Sequence, residues 1–264
     1  MTALDKSFAL EPQGEGKSRA LADPQYEANT GMFGGWTMAL LAKAALAHPD
    51  AQGTLSAATV HFVNRVPPGS FLKLHAQCLG ASRSLGHWRC DLTVEGAPPG
   101  ELAATATMVL ANRRESDRFT EDKMPGAAPP ETLERFQPGV PFGERTDMRS
   151  VSGAPPFNKP STRSLMWQRE TSGRTLDAVQ MAFLCDIGPP RVWYLGTAPR
   201  PSSTTTMSIY IHATEPELAA CGDDFVLSDM IATRIEHATV GSNAKMWSRG
   251  GALLATTEQL CWFR

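Results

Sequence analysis

The sequence predicts an α+β chain in which one buried helix followed by an antiparallel meander is written twice. Three observations carry this reading. Two apolar, helix-forming runs each precede a series of short β-rich segments, a stretch dense in charge and proline separates the two series, and their last segments align without a gap.

The first run, GWTMALLAKAALA (35–47), is rich in helix formers, apolar on nearly every face, entered through Gly34-Gly35 and stopped at His48-Pro49. That pattern predicts a buried helix. Segments 54–66, 70–81, 87–96 and 101–112 follow, each β-rich or alternating and each bounded by Pro or Gly turns, so four strands are expected. Residues 113–143 carry Pro125, Pro129, Pro130, Pro138 and Pro141 among many charges, hold no sustained period, and read as a connection. The order then recurs, with a second apolar helix over 175–185 and strands over 203–213, 224–240, 244–250 and 252–263.

The recurrence is testable within the sequence. GELAATATMVLANR (100–113) lies over GALLATTEQLCWFR (251–264) and matches it at Gly, Leu, Ala, Thr and Arg. Val60 and Phe62 correspond likewise to Ile209 and Ile211. A helix wrapped by an antiparallel sheet and duplicated in one chain describes a double hotdog, with an N-terminal half over 1–112, a linker over 113–143 and a C-terminal half over 144–264. The alternative is one mixed α+β domain with a disordered insertion.

Composition bounds the partners. A chain of 264 residues, 42% hydrophobic and 20% charged, can bury a large core. Its net charge of -2 leaves no basic stripe for a nucleic-acid backbone, so no nucleic-acid partner is expected, whereas a small anionic ligand needs only a few local cations. Met1 to Gly16 lacks the apolar run of a signal peptide, and no stretch approaches the roughly 18 apolar residues of a membrane span, which predicts a cytoplasmic chain without membrane association. Five scattered cysteines read as reduced thiols, and six histidines stand at no metal-ligand spacing; neither a metal nor a cofactor is expected.

Two residues contradict their surroundings. Asp186 ends the second helix, and the residues three, four and seven before it are Phe183, Ala182 and Val179, so its carboxylate is expected to be buried. The C-terminal end of a helix also disfavours a negative charge, and both effects push its pKa upward, toward a stronger base. The competing reading is a carboxylate capping the turn at Gly188-Pro189-Pro190. Gln259 shares the more apolar face of the last strand with Leu253, Ala255, Thr257, Cys261 and Phe263, and its counterpart in the first half is Met108. A buried amide without a partner costs about 1–3 kcal/mol, so Gln259 must bind a backbone group, a side chain or a water. Thr204 opens the strand TTTMSIYIH with a hydroxyl that can donate and accept, and by itself is an ordinary strand residue.

With these elements in place the chain resembles the thioesterase-like superfamily, in particular the double-hotdog acyl-CoA thioesterase II group, from about Met32 to the C-terminus. The likeness rests on Phe33-Gly34-Gly35 opening the first helix, on HFVNRVPPG (61–69), on Asp186 near the end of the second helix, on Thr204 before Tyr210-Ile211-His212, and on Gln259 in ATTEQ. Thr206 and Met207 stand where that group often carries Asp-His, and Ile187-Gly188-Pro189-Pro190 stops the helix early.

The resemblance implies a soluble enzyme of lipid metabolism that hydrolyses acyl-CoA, with Asp186, Thr204 and Gln259 holding the attacking water as catalytic residues. Gly34, Gly35 and Trp36 would supply backbone N–H donors to the oxyanion, although close helix packing explains the glycines equally well. Phe33, Trp36, Met38 and Phe183 could shape an acyl tunnel, and Arg65, Arg191 and Arg200 are candidate cations for CoA phosphates. A homo-oligomer, a dimer of double hotdogs, would pair outer sheet faces or edges. The alternatives are a non-hydrolytic acyl-CoA-binding or degenerate hotdog protein, and a hotdog hydratase or dehydratase, which would need a His-Asp pair near a helix where only His48 lies.

Overall fold

The alternating segments of both halves join one antiparallel sheet. In the computed structural model, which describes residues 1–264, the first half comprises α1 (Ala3–Ser7), β1 (Glu11–Gly14), β2 (Lys17–Leu21), β3 (Glu27–Ala28), β4 (Gly31–Met32), α2 (Gly34–Leu46), β5 (Thr54–Phe62), β6 (Phe71–Ala81), β7 (Leu85–Val94) and β8 (Ala104–Ala111). The second comprises β9 (Arg135–Phe136), α3 (Pro141–Glu144), β10 (Thr146–Ser152), β11 (Ser164–Glu170), α4 (Ala178–Leu184), β12 (Ser202–Ile211), α5 (Glu215–Ala219), β13 (Val226–Glu236), β14 (Thr239–Ser248) and β15 (Leu253–Phe263). Thirteen strands run in the order β1-β2-β6-β7-β8-β5-β12-β15-β14-β13-β11-β10-β9, with β3 and β4 paired apart.

The two halves meet at β5 and β12, and outward from that seam the order is mirrored: β8, β7, β6, β2 on one side and β15, β14, β13, β11 on the other. The register obeys the same symmetry. Ala58 faces Met108 as Met207 faces Gln259, and Ala58 pairs with Ile209 across the seam as Val60 pairs with Met207. The double hotdog is therefore a local two-fold built from one chain, and Met108 and Gln259 occupy equivalent positions within it.

The apolar character of α2 on all sides is explained by its position. Residues Gly35 to Ala42 are all buried, and α2 packs against α4 and against β5 to β8. The second helix is shorter than the sequence suggests, Ala178–Leu184, because the Asp177 side chain accepts from the Gln180 N–H and fixes its first turn.

Three segments depart from expectation. The run 224–240 is not one strand: β13 ends at Glu236, His237 and Ala238 turn with φ of 50° and 59°, and Thr239 starts β14. Neither turn residue is Gly, Asn or Asp, so the usual hairpin signal is missing from the sequence. Strands β10 and β11, as well as α1, β1 and β2, fall in stretches where periodicity assigns nothing. The stretch 113–143 also does more than connect. Along β11, Met166 and Gln168 face α4 while Leu165 and Trp167 face the opposite side, where they cluster with Phe225, Leu227 and Trp247 under Met124, Ala127 and Leu133. Trp167 Nε1 donates to the Ala128 carbonyl at 2.8 Å, and ion pairs Lys245–Asp122 and Arg249–Glu131 hold the segment down.

Candidate active site

Asp186 lies two residues beyond the end of α4, half-buried, against the start of α2. This revises the helix-end argument drawn from the sequence. The C-terminal end of α4 opposes the negative charge, but the carboxylate also meets the N-terminal end of α2, where Phe33 leaves the helix without a side-chain cap and the Gly35 N–H donates to Asp186. Burial is the dominant influence and raises the carboxyl to about 7, against lowering by the Gly35 N–H and the Gln259 side chain.

The amide of Gln259 is oriented by its neighbours. Nε2 donates to Asp186 Oδ1 at 3.1 Å and to Met207 Sδ at 3.4 Å, while Oε1 faces the Thr204 hydroxyl at 3.5 Å and Cys261 Sγ at 3.7 Å. The partner required by the half-buried amide is thus the carboxylate itself.

Thr204 reaches this group through an irregularity. In a regular strand, the two-residue period from Met207 would turn Thr205 and Ser203 toward the core and Thr204 away. The β12–β15 register instead slips between Thr204 and Thr206, and Thr205 Oγ1 donates to the Leu260 carbonyl at 2.8 Å. Beyond the slip it is Thr204 that faces Cys261 and the cavity. Thr206 donates to the Val60 carbonyl and Met207 is fully buried, so both serve the β5–β12 seam.

Asp186, Thr204, Gln259 and Gly34 all line one cavity of about 500 Å³. Phe33, Phe62, Met32, Met148 and Met230 give it apolar walls, and Phe136, Pro138, Val140 and Phe142 close one side, with Phe142 stacked on Phe33 at 4.3 Å between ring centroids. A cavity of this size and composition suits a mainly apolar ligand group. No histidine lines it, and His48 packs at a tilt against Trp88 instead.

The expected donor set narrows. Gly34 lines the cavity, and a Cβ there would stand 2.7 Å from Asp186 Oδ2 and 3.3 Å from Phe62 Cζ. Gly35 has committed its N–H to Asp186, and a Cβ on it would strike the Phe183 carbonyl and Phe33. Trp36 is a correction: it is absent from the cavity wall and wholly buried, with Nε1 donating to Ser7 Oγ at 3.2 Å. Met38 is likewise core, and Phe183 packs edge-on against Phe33 from behind the wall.

Two side chains of the site escape sequence reasoning. Cys261 lines the cavity beside Thr204, its thiol pushed up to about 11 by burial and by the Asp186 charge, against a lowering bond from Thr204, and so stays protonated at neutral pH. Ser242, buried and opposite Gln259 in the β14–β15 ladder, interrupts the apolar face formed by Val240, Ala244 and Met246. That interruption is a legible signal once β14 is read as one strand. Of the candidate cations, Arg191 lines the cavity but is buried and donates to the carbonyls of Pro189 and Thr162 and to Ser164 Oγ, while Arg200 donates to the Arg264 carbonyl and stacks on Phe263 away from the cavity. Arg65 alone of the three lies open on the wall.

Comparison with known proteins agrees with this architecture. A family model described as the acyl-CoA thioesterase N-terminal domain matches residues 22–111, and one described as the acyl-CoA thioesterase C-terminal domain matches residues 122–263. Among solved structures, a conserved protein of unknown function with a hot dog fold from Alicyclobacillus acidocaldarius is 30% identical, with a TM-score of 0.94 over 100% of this chain and 98% of that one. An acyl-CoA thioesterase II from Mycobacterium marinum is 18% identical, with a TM-score of 0.76 over 99% of this chain and 97% of that one, a likeness of fold. No curated protein matches the sequence. No helix is long and apolar enough to cross a membrane.

Proposed function

The chain belongs to the acyl-CoA thioesterase family, and from that premise we propose that it hydrolyses an acyl-CoA thioester to the free acid and CoA with a water held by Asp186, Thr204 and Gln259. The observation that carries the reading is the hydrogen bond from Gln259 Nε2 to Asp186 Oδ1 at 3.1 Å, beside the Thr204 hydroxyl, in the wall of an apolar cavity.

Asp186, raised by burial to about 7, is half ionised near neutral pH and is a stronger base than a solvated aspartate. It accepts a proton from the water as the water oxygen bonds to the thioester carbonyl carbon. The Thr204 hydroxyl, only loosely held at 3.5 Å from Gln259 Oε1, is free to turn toward that water and fix its lone pairs. Gly34, at the positive end of α2, offers its N–H to the carbonyl oxygen as it becomes an oxyanion. Collapse of the tetrahedral intermediate breaks the carbon–sulfur bond, and the proton held by Asp186 passes to the departing CoA thiolate. Cys261 is a poor candidate for the nucleophile, because its thiol is held far above neutral pH.

The test is release of CoA from a panel of acyl-CoA thioesters differing in chain length, measured for wild type and Asp186→Asn. Loss of most of the rate in the variant is expected; equal rates would overturn the assignment of the base.

A further inference from the structure

Resting on the acyl-CoA reading above, we propose that Arg65 is the residue that receives a phosphate of the CoA moiety, at the point where the ligand leaves the cavity. The cavity that holds Asp186 adjoins a groove of about 350 Å³ lined by Pro67, Val94, Gly96, Pro98 and Leu102, and Asn64 and Arg65 border both. A ligand with its reacting carbon at Asp186 and a long tail can therefore leave past Arg65.

The backbone that carries Arg65 is firmly held. Val63 and Asn64 N–H both donate to the Ala103 carbonyl, Asn64 Nδ2 donates to the Leu102 carbonyl at 2.9 Å, and Met32 N–H donates to the Val66 carbonyl at 2.9 Å. The Arg65 side chain lies across Gly31, where a Cβ would stand 2.9 Å from its Cγ and 3.3 Å from its Nε. Gly31 also has a φ of 144°, so a side chain there is excluded both by the backbone and by the arginine.

Arg65 is exposed on the cavity wall, and neither a hydrogen bond nor an ion pair within the chain engages its guanidinium. Arg191, the other cation on that wall, is enclosed by carbonyls. Arg19, near the groove, is spent on Glu95 at 2.8 Å and 3.2 Å, and the pair cancels the charge that Glu95 would set against a phosphate. Glu101 is the remaining carboxylate of the groove, which places the phosphate at the Arg65 end. A planar, always charged guanidinium with all its donors free is suited to phosphate oxygens.

The experiment compares Arg65→Ala and Arg65→Lys with wild type on an acyl-CoA and on the same acyl group carried by pantetheine, which has no phosphate, and titrates CoA and pantetheine by calorimetry. For Arg65→Ala, kcat/KM on acyl-CoA should fall about tenfold, chiefly through KM, and CoA affinity should fall by a similar factor, with both pantetheine readouts unchanged and Arg65→Lys intermediate. An equal loss on the pantetheine thioester would make Arg65 a cavity-wall residue and overturn the proposal, as would unchanged CoA affinity. Absence of hydrolysis by the wild type would refute the thioesterase reading alone, because the CoA titration decides the role of Arg65 without turnover.

Discussion

Gln259 donates to Asp186 from the strand position that Met108 fills in the other half of the molecule. One exchange of a hydrophobe for an amide therefore distinguishes two sheet positions related by the internal two-fold. The Thr204 position differs in the same sense: counting from Ala58 and Met207 as equivalents, it corresponds to Leu55, which is buried. The polar site is built once per chain. Gln259→Met, which writes the first-half residue into the second, should leave the fold intact and lower kcat about 10- to 100-fold, within the usual contribution of a positioned acid–base or orienting group. Because the Gln259 bond lowers the Asp186 pKa, its loss should also move the acid limb of the kcat/KM profile to higher pH. A variant profile superimposed on that of the wild type would show that Gln259 does not act through the carboxylate.

In the wild type the ionised carboxylate is the active form, so kcat/KM should rise with pH and level off above about 7. Rates measured from pH 5 to 9 on one acyl-CoA check this, and a flat profile would remove Asp186 as the base.

Stability should respond in the opposite sense. The folded-state pKa of about 7 exceeds the ordinary 3.8, so the folded protein holds a proton that the unfolded chain releases between these values, and stability falls as pH rises through that window. Asp186→Asn removes the cost of the buried charge. It should raise the melting temperature at pH 8 and have little effect at pH 4, with a difference on the order of 2–3 kcal/mol after allowance for solvent in the cavity. Equal shifts at both pH values would indicate a packing effect.

The two glycines at the start of α2 should separate chemistry from folding. Gly34→Ala places a methyl 2.7 Å from Asp186 Oδ2 and should displace the carboxylate, with a larger loss in kcat than in stability. Gly35→Ala drives a methyl into the Phe183 carbonyl and the Phe33 ring, neither of which can swing away, and should cost about 2 kcal/mol or more of stability. Paired urea melts and CoA-release rates check both.

The sequence makes the repeat legible because Val60 and Ile209, or Met108 and Gln259, occupy equivalent ladder positions in the two halves, and alternation survives duplication. Asp186 and Gln259 stand out for the same reason, as polar groups on apolar faces. Thr204 does not, since its orientation depends on a bulge at Thr205 that a two-residue period cannot contain. Trp36 adjoins the two glycines in the sequence, but the turn of the helix carries its side chain to the other side, against Ser7. The wall formed by Phe136 to Phe142 was hidden because a segment rich in proline and charge has no period from which burial can be read.

The bulge supplies the last prediction. Thr205 Oγ1 holds the Leu260 carbonyl at 2.8 Å, and because the bulge takes up Thr205 as the extra residue, Thr204 rather than Thr205 stands opposite Cys261 at the cavity. Thr204→Val keeps the shape of the side chain and removes the hydroxyl; it should lower kcat with little change in KM or melting temperature, since the hydroxyl makes only long contacts of 3.5 Å within the protein. Deleting Thr205 is the complementary test: a regular ladder running on from Met207–Gln259 and Thr206–Leu260 still brings Thr204 opposite Cys261, so the deletion should keep far more of kcat than Thr204→Val does. If Thr204→Val kept full activity, Thr204 would have no part in holding the water; if instead the deletion variant folded but lost as much kcat as Thr204→Val, register alone would not place the hydroxyl and the backbone geometry of the bulge would be required.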